Sequence, residues 1–204
     1  LVWFTNTGTF DPTRPPRLYD GAIFTLQEMP DGKFMCNGGG GNVQGTPVST
    51  IFRVDPDGIF DTTFNAPLVD YGNIYRFYAQ ADGKVICGGH ISFVGEPDTI
   101  ALFRLLPDGS LDPTFNNQLS VWTSYRPWDR AGPVLDIQPI GPDKLVITGY
   151  FDQLDGIARG GIAMLDTAGH LLPGYFESAG CGGYWDQYNP TVPPDPTQYY
   201  KNIG

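Results

Sequence analysis

Charge, histidine and cysteine are scarce in this sequence, and each scarcity narrows its possible functions. Charged residues make up 17% of the 204-residue chain, which has 2 histidines and 3 cysteines. An odd number of cysteines does not describe a disulfide framework. Cys36 and Cys87 each stand inside an apolar stretch, so we predict that both are unpaired core residues. The sequence has no phosphate-binding loop, nucleophilic-serine motif or zinc-spaced ligand set, and we predict no metal and no cofactor.

The sequence also lacks a basic patch and a long apolar run. The net charge is −10, from 22 acidic and 12 basic residues, and the densest basic cluster is "RPPR" at 14–17. Such a chain is not attracted to nucleic acid or to an anionic membrane surface. No apolar stretch approaches the ~20 residues of a membrane-spanning helix. The sequence therefore predicts neither a nucleic-acid partner nor membrane insertion.

Turn-forming and aromatic residues are plentiful. The 27 glycines and 19 prolines accompany 14% aromatic residues, which favours many short strands joined by tight turns. The stretch "AIFTLQEM" at 22–29 alternates apolar and polar side chains as a strand does. A "PDG" turn and the stretch "KFMCN" follow, which together predict a hairpin. "TIFRVD", a second "PDG" and "IFDTTF" predict another hairpin over residues 50–64.

This pattern recurs along the chain. The offset between the first and second copies is 51 residues, and the offset between the second and third is 60. The landmarks that fix these offsets are Lys33, Lys84 and Lys144; Gly58, Gly109 and Gly169; and Phe64, Phe115 and Tyr175. The stretch "GTFDPT" at 8–13 matches residues 58–63 fifty positions later. Several landmarks that share one offset indicate tandem structural repeats.

Two hairpins per ~50 residues in tandem predict an all-β fold of four-stranded antiparallel blades, as in a β-propeller. A β-sandwich is the rival, but its strands need not recur in register with the sequence. The predicted units are the end of a preceding blade with a linker (1–20), blade 1 (21–71), blade 2 with an aromatic insertion (72–131), blade 3 (132–176) and a Pro- and aromatic-rich connection or tail (177–204). Propellers close with about four to eight blades. We therefore expect a longer chain or neighbouring chains to complete the ring.

Two stretches, "ALFRLLPDGSLDPTF" at 101–115 and "TIFRVDPDGIFDTTF" at 50–64, share one phrase. A third, "GIAMLDTAGHLLPGYF" at 161–176, has lost its Arg, its Pro and both Asp. The phrase resembles the delta-sixty repeat of bacterial and phage-associated surface proteins, over roughly residues 21–176. The resemblance implies a β-propeller-like fold and occurrence in large secreted, surface or virion proteins. That family carries no established catalytic residues, so the resemblance implies none here.

Recurrent charged residues are predicted to be structural. A buried mid-strand arginine needs a partner, and the candidates are two recurrent pairs, Arg53 with Asp61 and Arg104 with Asp112. The third copy replaces both members, with Met164 and Leu172. Lys33, Lys84 and Lys144 are interpreted as solvated turn residues that discourage edge pairing. The acidic stretch "DPDGIFD" is interpreted as a turn rather than a calcium loop, because a calcium loop needs more oxygen ligands at fixed spacing.

The candidate binding residues lie where the repeat is interrupted. Two Pro-containing connections carry the aromatic side chains Trp122, Tyr125 and Trp128, and Tyr184, Trp185 and Tyr188. Both follow a fourth strand, so we expect them on the same face of the propeller. Such side chains anchor protein partners or stack on sugar rings. Protein neighbours are the favoured interpretation, with a glycan or surface receptor as the alternative.

Catalysis is the least favoured hypothesis. Cys181 would need a nearby base, but His90 is expected just beyond a second strand and His170 in a turn at the opposite face. A polysaccharide-acting enzyme would need paired carboxylates, for which the candidates are Asp129, Asp152, Asp155 and Asp186. The sequence thus predicts a non-catalytic structural or binding module of an extracellular, cell-surface or virion assembly, such as an adhesin or fibre component.

Overall fold

The computed structural model describes residues 1–96, 98–117, 119–122 and 132–177, with the backbone alone for Trp122. Within these residues every regular element is a β-strand. The tandem hairpins predicted from the sequence are present as antiparallel sheets. Their tight turns place glycines at positive φ, such as Gly32 at 80° and Gly83 at 83°, which only glycine adopts without strain.

Blade 1 contains one sheet and one separate hairpin. Its strands are β1 (Ile23–Glu28), β2 (Phe34–Gly38), β3 (Gly41–Val43), β4 (Thr46–Val48) and β5 (Ile51–Val54). The sheet has the order β1-β2-β5, and β3 pairs with β4 outside it. This small hairpin lies in the glycine-rich stretch "GGGGNVQGTPVS" at 38–49 and was not predicted from the sequence.

Blade 2 repeats the sheet of blade 1. Its strands are β6 (Val69–Ala79), β7 (Val85–Phe93) and β8 (Ile100–Leu105), in the order β6-β7-β8. The first strand begins at Val69, so it crosses the boundary predicted between residues 71 and 72. The short strand β9 (Val121–Trp122) follows at the start of the aromatic insertion.

Blade 3 has the same arrangement. Its strands are β10 (Val134–Ile140), β11 (Lys144–Gly149), β12 (Gln153–Leu154), β13 (Ile157–Ala158) and β14 (Ile162–Asp166). The main sheet has the order β10-β11-β14. The short hairpin β12–β13 pairs with β9, so the described start of the insertion is hydrogen-bonded to blade 3.

The fourth segment of each blade makes one antiparallel bridge instead of a full strand. The three bridges are Val54 with Phe60, Leu105 with Leu111, and Leu165 with Leu171. In blade 1 the Asp61 carboxylate then accepts hydrogen bonds from the backbone N–H and the hydroxyl of Thr63. This side-chain turn bends the chain away from the sheet immediately after the bridge.

The sheets pack face to face around adjoining first strands. β1 contacts β6, and β6 contacts β10. One core cluster joins blades 1 and 2, with Met35 and Phe77 among its members, and another joins blades 2 and 3, with Ile86 and Ile137 among its members. The molecule is therefore an all-β protein built from propeller-like blades.

The two ends of each blade differ in what they carry. Because strands alternate in direction, the first-to-second and third-to-fourth turns lie at one end, here called the turn end. The second-to-third connections lie at the other end of each blade, here called the link end. Each connection pairs with the segment that leads into its own blade. In blade 1 this pairing joins Val43 to Tyr19, and in blade 2 it joins Phe93 to Val69.

Candidate functional site

The predicted aromatic binding residues fall mainly outside the described part of the chain. This holds for Tyr125, Trp128, Tyr184, Trp185 and Tyr188. Trp122 is described for its backbone, which pairs with Gln153 of β12. The insertion after blade 2 therefore starts at the link end of blade 3.

One of the candidate catalytic carboxylates is used for structure. Asp155 has a φ of 48° and stands at the first central position of the two-residue β12–β13 turn, a conformation that such hairpin turns require. Its Oδ1 accepts a hydrogen bond of 2.8 Å from the backbone N–H of Ser120. Asp129 and Asp186 lie outside the described residues. Asp155 thus fastens the incoming chain to blade 3.

The cysteines and histidines also have structural positions. Cys36 and Cys87 are buried and free. Burial raises the pKa of Cys36 to about 12 and the pKa of Cys87 well above its ordinary value, so neither forms a thiolate readily. His90 lies inside β7, not beyond a second strand as the sequence analysis expected. Cys181 lies outside the described residues.

The recurrent arginines and aspartates form close ion pairs. Arg53 Nε lies 2.8 Å from Asp61 Oδ2, and Arg104 Nε lies 2.9 Å from Asp112 Oδ2. In each pair, the other carboxylate oxygen accepts a hydrogen bond from the threonine hydroxyl two residues on. Each aspartate is therefore held on both oxygens.

A lysine from the first hairpin joins each pair. Lys33 Nζ lies 2.8 Å from Asp61 Oδ2, and Lys84 Nζ lies 3.3 Å from Asp112 Oδ2. The interpretation as solvated turn residues is incomplete for Lys33 and Lys84, because each ammonium group also contacts the buried aspartate of its own blade. Lys144, whose blade has no such aspartate, contacts its neighbour Asp143 instead, at 3.1 Å.

This cationic surrounding controls the charge of both aspartates. Burial alone would raise the pKa of Asp112, but hydrogen bonds from Thr114 and the charge of Arg104 lower it to about 2. Burial also opposes the shift at Asp61, where hydrogen bonds from Lys33, Thr63 and Arg53 hold the pKa well below its ordinary value. Both carboxylates are therefore ionised at neutral pH.

Each arginine also reaches into the next blade. Arg53 Nη1 donates to the carbonyl oxygen of Pro107 at 2.9 Å, and Arg104 Nη1 donates to the carbonyl oxygen of Thr167 at 2.8 Å. The guanidinium carbons lie 4.7 and 4.9 Å from the ring centroids of Phe64 and Phe115. The arginine of one blade thus holds the third-to-fourth turn of the following blade, and we call this set of contacts the clamp.

Backbone hydrogen bonds reinforce the clamp. The N–H of Asn65 donates to the carbonyl of Asp108, and the N–H of Asn116 donates to the carbonyl of Ala168, both at 2.7 Å. These asparagines were not among the predicted structural residues, although they share the 51-residue offset of the other landmarks, which is the signal that could have identified them.

A glycine in each third-to-fourth turn held by the clamp allows the neighbouring blades to approach closely. Gly109 has a φ of 94°, and a Cβ there would lie 2.7 Å from the backbone of Asn65. Gly169 has a φ of 86°, and a Cβ there would lie 2.7 Å from the ring of Phe115. A side chain at either position would push the neighbouring blades apart.

The N-terminal segment grips blade 1 in a related way. Arg17 Nε donates to the carbonyl of Asp57 at 2.9 Å. Trp3 occupies the position equivalent to Arg53, fifty residues earlier, and its ring lies where a Cβ on Gly58 would contact it at 2.8 Å. The same head-to-tail contact therefore occurs at three successive borders, with variations in the side chains.

An open cavity of about 480 Å³ lies at the turn end, where the first strands of the three blades finish. Its lining includes Gln27, Glu28, Arg76, Tyr78 and Gln138. Arg76 Nε lies 3.1 Å from Asp136 Oδ1, and this exposed pair links the first strands of blades 2 and 3. The cavity has both polar and apolar walls and is open to solvent.

Comparison with known proteins supports the propeller-like fold. Residues 80–115 match the family described as "Domain of unknown function (DUF5122) beta-propeller". The matched residues include strands β7 and β8 of blade 2 and the clamp residues of that blade. No curated protein and no solved structure matches the chain.

Two searches of the described residues gave negative results. They contain no helix long and apolar enough to cross a membrane. They also contain no group of three or more His, Cys, Asp or Glu side chains arranged to hold a metal ion.

Proposed function

We propose that this protein is a non-catalytic structural or binding module of an extracellular, cell-surface or virion assembly, in which it engages protein neighbours through one propeller face. The repeat is proposed to be of the delta-sixty type, and the assembly to be adhesin-like or fibre-like. The observation that carries the proposal is the clamp, because the recurrent arginines and aspartates of the described residues are committed to joining one repeat unit to the next.

The surroundings of the described aspartates support a non-catalytic role. The ionised aspartates are enclosed by arginine, lysine and threonine, so they are not available to a substrate. Asp155, a carboxylate that an enzyme would need free, caps the backbone of Ser120. The geometry of the described residues therefore favours assembly over catalysis.

The resemblance to delta-sixty repeats supports the proposed extracellular, cell-surface or virion location of the protein. The full phrase with Arg, Pro-Asp-Gly and Asp-Pro-Thr stands in blade 2, and a near-complete copy stands in blade 1. Proteins with this repeat occur in large secreted, surface or virion structures, and a module that joins like units suits such a structure.

The mass of the native assembly tests the proposal directly. The protein is isolated from its source under native conditions, cross-linked, weighed by native mass spectrometry, and its neighbouring chains are identified from the cross-linked peptides. We expect an assembly heavier than one chain, with cross-links concentrated on one face. A protein that is monomeric in its source and cross-links to no neighbour would contradict the proposal.

Glycan or receptor binding is a second candidate, favoured by the anchoring of β9. The aromatic insertion begins at a strand paired to blade 3, which fixes one end of it at the link end. Titration with a panel of glycans, followed by tryptophan fluorescence, tests this candidate. Saturable quenching that is lost in Trp128→Ala would support it, and no response to any glycan would remove it.

A further inference from the structure

Arg159 is a buried arginine at the link end of blade 3. It is 5% exposed, close to the 6% of Arg53 and the 7% of Arg104, and these three are the buried arginines of the described residues. Arg159 directly follows strand β13, and its backbone N–H donates to the carbonyl oxygen of Asp152 at 2.8 Å. The β12–β13 hairpin therefore fixes the position of its backbone.

The clamp arginines show which partner Arg159 lacks. In each clamp the arginine Nε donates to an aspartate carboxylate, and Nη1 donates to a backbone carbonyl. Arg159 Nη1 also donates to a backbone carbonyl, that of Ala158, at 2.7 Å. Its Nε is buried and has no hydrogen-bond acceptor within the described part of the chain. The arrangement is that of a clamp arginine from which the carboxylate is missing.

The missing partner is significant because a buried charge is costly. Desolvation of a guanidinium group is repaid only when a counter-charge and hydrogen bonds replace the lost water. Buried polar groups in native proteins are hydrogen-bonded as a rule, so a buried N–H without an acceptor calls for one. The Nε of Arg159 therefore marks a place for an acceptor of negative charge.

The repeat itself does not require an arginine at this position. Arg159 stands three residues after the turn glycine Gly156. In blade 1 the residue three positions after the turn glycine Gly45 is Val48, which packs against an apolar core cluster. An apolar side chain therefore serves the fold at this place in blade 1, and the arginine of blade 3 has a different role.

The surroundings of Arg159 suit a contact with a protein. Ile157, two residues before it, is 49% exposed, and Ala158 is exposed as well. A charged group in a desolvated position beside apolar contacts that exclude water is typical of the energetic centre of an interface. Because Nε is buried, an entering carboxylate must stand on a narrow stem, as it does in aspartate and glutamate. A sugar acid carries its carboxylate directly on the ring.

We propose that Arg159 receives the carboxylate of an aspartate or glutamate side chain from a neighbouring protein chain. The carboxylate accepts a hydrogen bond from Nε, as Asp61 and Asp112 do in the clamps, and the neighbour covers Ile157. The inference rests on the proposed assembly function. It names a contact residue at the link end and the chemistry of the partner group that binds there.

NMR of the arginine Nε–H groups tests the site in the whole protein. The probe is N-acetyl-aspartate methylamide, added at up to about 100 mM because a single ion pair gives a weak complex. We expect the Arg159 Nε–H signal to move saturably, with half of the shift reached at about 10–50 mM. The signals of Arg53 and Arg104 are internal controls and should stay in place, since an aspartate already occupies each Nε.

Matched probes identify the source of the carboxylate. N-acetyl-alanine methylamide with sodium chloride at the same ionic strength should leave the Arg159 signal unchanged, and glucuronate should move it less than the aspartate probe. Stronger binding of glucuronate would overturn the protein source, and no shift with either acid would overturn the site. A shift caused by Asp129→Asn or Asp186→Asn without any probe would overturn the external source, because the chain would then supply the carboxylate itself.

Removal of the guanidinium distinguishes a vacant site from a satisfied one. Arg159→Met deletes a charge that has no carboxylate partner among the described residues, so the midpoint of urea unfolding should not fall. Arg104→Met is the matched control, since it deletes a paired guanidinium and should lower the midpoint. An equal fall in both variants would show that the fold itself satisfies Arg159 and would overturn the inference.

The native assembly tests the neighbouring chain. Arg159→Met is produced in the source of the protein, cross-linked and weighed as for the wild type, and we expect the cross-links at the β12–β13 hairpin to be lost. Arg159→Lys keeps the charge without an Nε–H and should lose them in part. An assembly of unchanged mass with unchanged cross-links at this hairpin would overturn the inference and leave the proposed function intact. A monomeric wild-type protein would overturn both.

Discussion

Blades 2 and 3 have the same backbone arrangement with different side chains. The N–H of Asp112 donates to the carbonyl of Arg104 at 2.8 Å, and the N–H of Leu172 donates to the carbonyl of Met164 at 2.9 Å. The bridge to the fourth segment thus forms equally well with an ion pair and with two apolar residues. The ion pair is therefore not needed to build a blade.

The difference lies in what each blade joins. The Arg104 side chain donates a hydrogen bond to a carbonyl of the following blade. The Met164 side chain has no N–H or O–H group that could do so. The charged clamp occurs in blades 1 and 2, each followed by another blade of the described structure. The comparison indicates that the clamp serves the borders between units, and four experiments can break or sharpen this conclusion.

The largest effect is expected from removing one member of the buried pair in blade 2. Arg104→Met leaves Asp112, whose side chain is 2% exposed, without its main partner, and should lower the free energy of unfolding by about 3–5 kcal/mol. The double variant Arg104→Met/Asp112→Leu, which copies blade 3, should lose at least about 1 kcal/mol less. Urea unfolding measures both. Additive losses in the double variant would show that the two residues act independently.

A smaller loss of stability is expected from a substitution in the third-to-fourth turn of blade 2, which the clamp holds. Gly109→Ala adds a Cβ against the backbone of Asn65 at a positive φ, and overpacking with backbone strain should cost about 2–4 kcal/mol. Gly8, the equivalent glycine of the N-terminal segment, has a φ of 79° and open space around it. Gly8→Ala should therefore cost about 1–2 kcal/mol, from strain alone. Equal costs by thermal unfolding would mean that the border contact is not tight.

The pH dependence of stability should follow the clamp aspartates. Their pKa values are lower in the folded protein than the ~3.9 of an unfolded aspartate, with Asp112 at about 2. Their contribution is therefore complete above the unfolded pKa and is lost as the pH falls through the folded one. We expect the urea midpoint to fall between about pH 5 and pH 2, and to fall less in Arg104→Met/Asp112→Leu. An identical pH profile in the two proteins would assign the acid sensitivity to other carboxylates.

The smallest effect is expected at the lysines. Lys84 is 28% exposed in its side chain, so Lys84→Met should cost up to about 1 kcal/mol. Lys144→Met is the matched control. Lys144 contacts its exposed neighbour Asp143 and not a buried aspartate of its blade. Salt should reduce the difference between the two variants, and a difference that persists at high salt would argue against an electrostatic cause.

The architecture of the blades was predictable from the sequence because repeats multiply weak signals. One Pro-Asp-Gly turn between apolar stretches is ambiguous, but the turns at 56–58 and 107–109, and the related turns at 30–32 and 81–83, share one offset and so indicate recurring hairpins. The short hairpin β3–β4 was missed because its strands of three residues show no clear alternation. Its turn uses Gln44 at a φ of 51°, a conformation for which glutamine gives no sequence signal.

The clamp was predictable in part. Offsets within a copy indicated that arginine and aspartate of one blade belong together, as in Arg53 and Asp61. They gave no information on contacts to backbone carbonyls of the next blade, because any residue type has a carbonyl. The acceptor is Pro107 at one border and Thr167 at the next, so side-chain identity does not mark it.

Hydrogen exchange at the two border amides tests the central claim most directly. The N–H groups of Asn65 and Asn116 each donate across a border, and both should be protected in the wild-type protein. In Arg104→Met/Asp112→Leu, exchange at Asn116 should accelerate while exchange at Asn65 stays unchanged, because only the border between blades 2 and 3 has lost its clamp. Unchanged exchange at Asn116, or equal acceleration at both amides, would contradict the account.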